Sequence, residues 1–536
     1  MIKTLKKVAL PVGITLVAAS CQDLDVVNPN RPDAQRATAQ PVTTESFVAS
    51  SFRTWWPVAG HDDYPSWAFS TMAREITSGF ADFGQLELSA EPRQAWNNSP
   101  VNARREVNQN PWYAFYRTIS AASDVVRAID GGLVIETPAR TARAKAMGKF
   151  MQGLSYGYLG LYYDKAALVD EKTKLDTLAG VVPTFSDYKA VTTFAIAQLD
   201  AAIVAANAQP TITFPPDGWM YQALTKDQFV RLANSFAARL LVYSARTREE
   251  RAAVNWAEVI RRVDAGIQTD FAPVAQPDIL FDDWKRLLAR LRTAGRPSDF
   301  GRPSYWLIGP ADSTSGWVNW VATANDSRQP FQMRTKDRRI QGTTGPASAG
   351  KYMGYNLNNI FQAARGTYRF SHYFYRRNGV DLTWQTGPQP AMTVTEMDLL
   401  KAEALIRLGR AAEAVPLINR SRVANGELPP VTVDGPPNEA GCVPRKEGGA
   451  CGSLWDALRY EKGVEGVGVS GVVAFFDARG WRTLPEGTPL HFPIPGRELQ
   501  TLQLPLYTFG GPGGQASAPA RDPERCPVAG LARCPS

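Results

Sequence analysis

The chain has 536 residues, of which 44% are hydrophobic and 21% are charged. These fractions are typical of a globular protein and exclude a disordered tail or a coiled-coil rod. The formal net charge is +8, but three of the lysines lie at the extreme N-terminus and no run of five or more basic residues occurs. Because nucleic-acid binding needs clustered positive charge, we expect no nucleic-acid partner.

The N-terminus has the layout of a secretory signal peptide. Three lysines precede an apolar run from Val8 to Ala19, which ends in small residues. The run is too short for a bilayer-spanning helix, which needs about 20 residues. The letters AASC at 18–21 resemble a bacterial lipobox, so residues 1–20 are predicted to be a lipoprotein signal peptide and Cys21 the lipid anchor. Ordinary cleavage after Ala19 is the alternative.

A polar segment follows the predicted anchor. Residues 21–40 are rich in Asn, Pro and Asp and show almost no apolar periodicity. Such a stretch is typical of a tether between a lipid and a folded body. The remainder, 41–536, is predicted to form a single body.

Apolar periodicity predicts that this body is mainly α-helical. Pro/Gly/Asn-rich loops separate the helices, and the longest loop runs from about 295 to 393. Residues 402–414, AEALIRLGRAAEA, match the helix–turn–helix signature of a tetratricopeptide repeat, with generic helical packing as the alternative. The predicted helices lie at roughly 111–129, 139–163, 187–207, 227–246, 253–268, 393–408 and 411–424.

Four further cysteines lie in the second half of the chain. Cys442 and Cys451 flank one short loop, and Cys526 and Cys534 flank another. Pairing within each loop is the simplest of three connectivities, and in an exported protein we expect these pairs to be disulfides. The chain lacks a CxxC motif and its three histidines lie far apart, so we expect no metal site and no cofactor.

Several catalytic patterns occur without the context that their chemistry needs. Residues 153–157 match GxSxG inside a predicted helix, and 466–471 match GxGxxG after a helix rather than before one. Two carboxylate pairs, 62–63 and 282–283, lie beside aromatic residues. Glycoside hydrolysis needs two carboxyl groups at a defined separation, which keeps a hydrolase as one alternative.

Tryptophan is the most informative residue type. The chain has 14 of them, and several fall in loop-like stretches beside Asn, Asp and Arg. Indole rings with a few convergent polar groups are typical of ligand pockets, and a ring on a loop can stack against a sugar. Burial under loops is the alternative for any single ring. Segments 61–67 and 317–328 are the strongest candidates for a binding surface.

Several segments, in this order, resemble the SusD/RagB family of outer-membrane lipoproteins. The opening QDLDVVNPN after Cys21 is similar to the start of that family. The late segments are similar to its repeat helices and C-terminal signature, although the Glu/Lys-rich helix is followed here by a Gly/Val run and the paired cysteines are not a general family feature. The matching segments are 22–30, 396–404, 418–422, 458–462, 476–481 and 491–499.

The resemblance implies a non-enzymatic receptor with a mainly α-helical scaffold of tetratricopeptide-like pairs and a loop-rich ligand face. Such a protein is expected on the outer membrane, over a TonB-dependent SusC-like transporter, and delivers an oligosaccharide or a peptide to it. The N-terminal part would span about 41–245 and the C-terminal part about 246–536. By position, the ligand region would include Asp63, Tyr64, Trp67, Trp96, Asn97, Trp306, Trp317 and Trp320.

Two other functional classes stay open. One is a tethered glycoside hydrolase that uses two of the loop carboxylates. The other is an assembly scaffold, because helical repeats present extended surfaces that bind other proteins.

Overall fold

The computed structural model of the protein describes residues 40–78, 83–174, 181–276, 279–280, 282–289, 291–292, 296–297, 301–357, 371–377 and 387–520. Seventeen α-helices dominate these ranges, which confirms the predicted mainly α class. In chain order they are α1 (Pro41–Trp56), α2 (Asp63–Met72), α3 (Gln85–Ser89), α4 (Glu106–Asp130), α5 (Pro138–Tyr162), α6 (Tyr188–Asn207), α7 (Lys226–Tyr243), α8 (Arg248–Ala252), α9 (Trp256–Asp264), α10 (Asp283–Ala289), α11 (Tyr305–Ile308), α12 (Gly316–Ala322), α13 (Val394–Arg407), α14 (Ala411–Ala424), α15 (Leu454–Gly466), α16 (Val473–Trp481) and α17 (Gly496–Thr501).

Short strands form six antiparallel pairs within the described ranges. The pair β1–β9 joins residues 76–78 to residues 301–303, with Ile76 opposite Pro303. The strands are β1 (Ile76–Ser78), β2 (Lys165–Ala167), β3 (Phe185–Asp187), β4 (Thr213–Phe214), β5 (Leu224–Thr225), β6 (Val274–Ala275), β7 (Leu291–Arg292), β8 (Arg296–Pro297), β9 (Gly301–Pro303), β10 (Met353–Tyr355), β11 (Tyr373–Tyr375) and β12 (Gly387–Pro388). The other pairs are β2–β3, β4–β5, β6–β12, β7–β8 and β10–β11.

The first half is a bundle of consecutive helices. Helices α4, α5, α6 and α7 pack in sequence, each against the next. The α4 helix buries Phe115, Ile119 and Val126, which share one face because successive members lie four and seven positions apart. Within the described residues α6 is the one helix that is long and apolar enough to span a membrane, and here it packs against α5 and α7.

The GxSxG pattern lies in the middle of α5, as predicted, and serves close packing. A Cβ at Gly153 would lie 2.7 Å from Leu199, and one at Gly157 would lie 2.6 Å from Leu240. The intervening Ser155 is completely buried. A nucleophilic serine must stand on an exposed strand-to-helix turn, so this serine lacks the geometry of a nucleophile.

Helices α13 and α14 form the predicted tetratricopeptide-like pair. Thr393 accepts a hydrogen bond from the Glu396 N–H and so caps α13. Gly409, at φ +76°, turns the chain before α14, and Ala402 is buried in one cluster with Ala414 and Ile418 of α14. The pair also packs against α9 and α15, so the helical repeats continue across the molecule.

Buried ion pairs flank α15 on two sides. On one side Arg339 donates to Asp337, Glu461 and Glu465 at 2.6–3.2 Å, and all four side chains are almost fully buried. Burial would lower the pKa of Arg339, but Asp337 and Glu461 hold it well above its ordinary value. The Arg339 guanidinium therefore fixes the segment around 337–339 to the helical scaffold.

On the other side of α15, Lys462 donates to Asp477 at 2.6 Å and to Glu403 at 3.2 Å. Arg251 also contacts both carboxylates. Burial opposes the ionisation of Glu403, but Arg251, Lys462 and Arg407 hold its pKa well below the usual range. The family-like motifs at 458–462 and 476–481 therefore form a buried network that joins α15 and α16 to α8 and α13.

One long helix was not predicted. Helix α1 begins at Pro41, directly after the expected tether, and buries Val48, Phe52, Trp55 and Trp56. Its sequence is rich in Ser and Thr, which disfavour helix interiors. Tertiary packing against α4 and α5 stabilises this helix, which the local sequence preference alone does not favour.

Candidate functional site

Four of the predicted ligand-binding rings are buried rather than presented on loops. The exposed fractions of Trp67, Trp96, Trp317 and Trp320 are 0%, 3%, 2% and 4%. The expectation of exposed rings is wrong for these four, because helices turn three of them inward and Trp96 packs into the core from a loop. Trp317 and Trp320 lie three residues apart on α12 and therefore share its buried face.

Trp306 is the predicted tryptophan that remains partly exposed. It lies in α11, where its backbone N–H donates to the Ser304 hydroxyl at 3.2 Å. The ring centroids of Trp317 and Trp320 are 5.5 and 5.6 Å from that of Trp306. Trp306 is thus the outermost member of a cluster of three indoles.

A series of hydrogen-bonded polar side chains beside Trp306 connects residues 74–91 to residues 325–328. Arg74 donates to Glu91 through Nε at 3.0 Å and Nη2 at 2.6 Å. Asn325 donates to the second oxygen of Glu91 at 2.6 Å and accepts from Arg328 at 2.5 Å. The guanidinium carbons of Arg74 and Arg328 lie 4.5 and 5.3 Å from the Trp306 ring centre.

Arg328 also holds the end of α12. Its guanidinium donates to the carbonyls of Trp320, Val321 and Thr323 at 2.9–3.0 Å. Carbonyls at a helix C-terminus lack partners in the helix, and a positive charge there is favourable. The guanidinium therefore fixes the indole cluster and the polar chain relative to each other.

Other partly buried aromatic rings pack against the same hydrophobic core, and Tyr64, which packs against the larger core, contacts one of them. We call Tyr64, Phe83, Trp306, Phe331 and Tyr355 the aromatic rim. Tyr64 contacts Phe83 edge to face at 5.5 Å, and Phe331 stacks on the buried Tyr305 at 4.4 Å. The sequence analysis included Tyr64 and Trp306 but missed the other three, whose only sequence signal is an aromatic residue in a loop-like stretch.

The segment around Trp96 and Asn97 lies elsewhere. Trp96 belongs to the larger core of the N-terminal helices, and its backbone N–H donates to the carbonyl of Phe509 at 2.9 Å. Asn97 is exposed, and its side chain accepts the N–H of Ser99 in a local turn. The structure therefore separates Trp96 from the core that carries Trp67, Trp306, Trp317 and Trp320.

Of the two carboxylate pairs, Asp282 is buried, whereas Asp62 and Asp283 are partly exposed. Asp282 is 2% exposed and accepts from His61 at 2.8 Å and Lys285 at 2.9 Å. Burial would raise the pKa of Asp282, but Lys285 and His61 hold it below its usual value. Burial lowers the pKa of His61 to about 4, so this imidazole is neutral near pH 7. The side chain of Asp63 lies outside the described part.

Glu75 is a second buried carboxyl, located just before β1. It is 4% exposed, and one of its carboxyl oxygens has no hydrogen-bond partner among the residues that the structure describes. Burial raises the pKa of Glu75 to about 8, so the group is largely protonated near neutral pH. Its backbone carbonyl accepts the N–H of Ser304, which joins it to the start of α11.

The GxGxxG pattern at 466–471 is a buried turn between α15 and α16. A Cβ at Gly468, which has φ +74°, would lie 2.1 Å from the Tyr375 ring. The turn therefore packs against protein atoms and leaves no room for a phosphate. No group of three or more His, Cys, Asp or Glu among the described residues could hold a metal ion.

The cysteines divide between described and undescribed residues. Cys442 and Cys451 form a disulfide with Cα atoms 5.8 Å apart. Cys21, Cys526 and Cys534 lie outside the described residues, and their lipid and disulfide assignments stay predictions.

Structural comparison identifies the fold. No protein-family model matches the chain, and no curated protein matches its sequence. Among solved structures, a SusD superfamily protein from Bacteroides thetaiotaomicron is similar with a TM-score of 0.55 and 17% identity, over 86% of this chain and 96% of that one. A SusD superfamily protein from Bacteroides vulgatus gives 0.53 and 13%, over 87% and 97%. A SusD-like protein from Bacteroides fragilis gives 0.53 and 14%, over 83% and 87%.

These likenesses cover nearly the whole length of each neighbour, so the chain has the SusD-like fold. The resemblance predicted from the sequence is confirmed at the level of the fold.

Proposed function

We propose that this protein is a non-catalytic cell-surface receptor that binds a nutrient and passes it to a TonB-dependent, SusC-like transporter. The observation that carries the proposal is the SusD-like fold over 86% of the chain. The partly exposed aromatic rim supports it, because it gives that fold a surface suited to a ligand.

The rim suits an oligosaccharide or a peptide. Aromatic rings offer apolar contact area, and Arg74, Glu91, Asn325 and Arg328 supply hydrogen-bonding groups beside Trp306. These polar groups already hold one another, so a ligand would meet a surface ordered before binding. A hydroxyl-rich ligand matches this mixture of rings and polar groups, and we place an oligosaccharide first.

The proposed location depends on the N-terminus. The lipobox-like segment would attach the chain to the outer membrane through Cys21, and more than one acyl chain makes such attachment stable. The tether would end where α1 begins at Pro41. A Cys21→Ala variant should therefore leave the membrane fraction, and a variant that stays with membranes would contradict the anchor.

A non-catalytic role agrees with the state of the best carboxylate candidate. Both oxygens of Asp282 accept hydrogen bonds from His61 or Lys285, and the group is buried. Neither proton transfer to a ligand nor nucleophilic attack is open to a carboxylate held in this way. The hydrolase alternative would need other carboxyl groups.

The test uses the soluble chain that begins at Gln22. We would titrate it with panels of oligosaccharides and peptides, follow tryptophan fluorescence, and recover each ligand for mass spectrometry. Binding with an intact ligand is expected. A shortened ligand would favour the hydrolase, and no binding in either panel would favour the assembly scaffold.

Variants then locate the site. Trp306→Ala should weaken binding of the ligand found at least tenfold in calorimetric titration, which corresponds to about 1.4 kcal/mol. Phe47→Ala is the matched control, because Phe47 is a partly exposed ring on α1, outside the rim. Equal affinity of both variants and the parent chain would move the site away from Trp306.

A further inference from the structure

A hairpin closed by a disulfide packs beside the segment that leads into α12. We call residues 442–452 the disulfide hairpin. Cys442 and Cys451 are bonded, and Arg445 pairs with Cys451 across the hairpin. The N–H of Gly452 donates to the carbonyl of Pro444 at 2.8 Å, which closes the base.

Arg445 connects this hairpin to the segment before α12. Its backbone N–H donates to the carbonyl of Pro310 at 2.7 Å. Its guanidinium donates to the carbonyls of Thr314 at 2.8 Å and Asp312 at 3.3 Å, and within the hairpin to that of Gly449 at 2.9 Å. One residue thus satisfies three backbone carbonyls of the 310–314 segment, which lies outside any strand or long helix.

Further contacts seat the hairpin on the same segment. A Cβ at Gly449 would lie 3.4 Å from the Val318 side chain, and one at Gly441 would lie 3.3 Å from that of Ser313. Glu439, just before the hairpin, forms an ion pair with Lys336 at 2.8 Å. The backbone of the hairpin therefore lies against α12 and the segment before it.

The start of α12 depends on the same segment. The Asp312 carboxylate accepts the N–H of Trp317 at 3.0 Å and the hydroxyl of Thr314 at 2.7 Å. A Cβ at Gly309 would lie 2.2 Å from the Trp317 ring, so the indole lies directly on the backbone there. A displacement of residues 309–314 would therefore displace Trp317.

Trp317 and Trp320 in turn support Trp306, a member of the aromatic rim, with ring centroids 5.5 and 5.6 Å away. We propose that the disulfide hairpin is a positioning element for the ligand face, and that Arg445 is its positioning residue. The effect on binding rests on the proposed function, whereas the effect on the indole cluster does not.

The disulfide supplies the stiffness that this role needs. A short cross-linked loop has few conformations available, so Arg445 is held in place before it meets its carbonyl partners. Without the bond, the hairpin would retain a few hydrogen bonds and would open more often. The region next to it would then exchange its amide protons faster.

The test uses the soluble chain with three changes made separately. Arg445→Ala removes the guanidinium, Arg445→Lys keeps the charge but loses the forked geometry, and Cys442→Ser with Cys451→Ser removes the bond. Arg410→Ala is the control, because Arg410 is exposed and pairs only with the nearby Glu413 among the contacts described.

We expect hydrogen exchange in 309–322 to rise at least tenfold in Arg445→Ala and in the double cysteine variant, with exchange in α5 unchanged. The near-ultraviolet circular dichroism signal of the neighbouring indoles should weaken in the same two variants. Arg445→Lys should give exchange rates and a signal between those of the parent chain and of Arg445→Ala. The affinity for the ligand found with the parent chain should drop severalfold, whereas the melting temperature of the helices should stay unchanged.

Unchanged exchange in 309–322 in both variants would overturn the proposal. If a ligand binds the parent chain and Arg445→Ala equally well, the positioning role fails while the proposed function stands. If exchange rises but the parent chain binds no ligand, the positioning role stands while the proposed function fails.

Discussion

The helical scaffold (α1–α9 and α13–α17) and the late segment (301–357) satisfy their backbones in different ways. The helices of the scaffold pair most of their own N–H and C=O groups and bury apolar faces against one another. In the late segment, side chains of the segment itself and the side chain of Arg445 fill part of this role. Arg328 holds three carbonyls and Arg445 holds two, while the hydroxyl of Tyr305 donates to the carbonyl of Phe331 at 2.5 Å.

This difference means that stability is distributed unevenly. A scaffold contact is one of many in a large apolar core, and its loss is shared among its neighbours. A late-segment contact often joins a single side chain to several backbone groups, so one substitution leaves several polar groups without partners. The late segment is therefore ordered by few residues, and variants can distinguish the two regions.

The largest effect is expected at Arg339, where the two regions meet. Arg339→Met would leave Asp337, Glu461 and Glu465 buried without their shared cation. Breaking a buried ion pair in this way costs about 3–5 kcal/mol. Urea unfolding, followed by far-ultraviolet circular dichroism, would measure the loss.

Arg410→Ala serves as the control for this prediction, because its ion pair with Glu413 is exposed. Exposed pairs contribute little to stability, so no measurable change is expected. A loss below about 1 kcal/mol in Arg339→Met would show that the three carboxylates find other partners or protons at little cost.

The next effect concerns pH and the link between Glu75 and the late segment. Burial raises the pKa of Glu75 to about 8, from an ordinary value of 4.5. The folded protein then binds a proton that the unfolded chain releases, so stability is fully present below pH 4.5 and falls until about pH 8. The pKa difference of about 3.5 corresponds to a total change of at most about 5 kcal/mol. Glu75→Gln should remove most of this dependence and be more stable than the parent chain at pH 9.

Urea unfolding between pH 4.5 and 9 checks this expectation. Glu87→Gln, an exposed substitution on α3, is the matched control and should follow the parent curve. A Glu75→Gln curve parallel to that of the parent chain would mean that Glu75 titrates in water, contrary to its burial.

A smaller effect tests the density of the scaffold. A Cβ at Gly157 would meet Leu240 at 2.6 Å, and Leu240 is itself buried. Overpacking costs about 1–3 kcal/mol and the better helix preference of alanine returns up to about 1, so Gly157→Ala should lose about 1–2 kcal/mol. Gly448→Ala is the control, because nothing lies within 4 Å of its Cβ position. Equal stability of the two variants would indicate space beside α5.

The comparison also explains which features the sequence predicts. Helices α4 to α7 follow from apolar spacing and from local signals such as Thr137, which caps α5, because each signal lies within a few residues of its effect. Helix α1 escaped prediction because packing, and not local preference, forms it. Boundaries agree to within a few residues except at 111, where α4 begins earlier, at Glu106.

The candidate site was harder to predict for a physical reason. Asn325 and Glu91 are 234 residues apart in sequence and meet only because β1 pairs with β9. Composition predicted Trp306 near the surface, where it is partly exposed. It could not show that Trp317 and Trp320 turn inward, because a short amphipathic helix and a loop can have the same amino-acid composition. The sequence named candidate residues, whereas the exposure of each ring depends on long-range packing.

The smallest effect tests whether the scaffold behaves as one cooperative unit. Thr225 caps α7 by accepting the N–H of Gln228, whose side chain accepts the N–H of Thr225 in return. Loss of such a cap costs about 1 kcal/mol, so Thr225→Ala should lower the free energy of global unfolding by that amount. Thr193→Ala, an exposed change within α6, should be neutral or slightly stabilising, because alanine is the better helix former. If Thr225→Ala speeds hydrogen exchange only in α7 and leaves the free energy of global unfolding unchanged, then helices of the scaffold unfold locally and independently of one another.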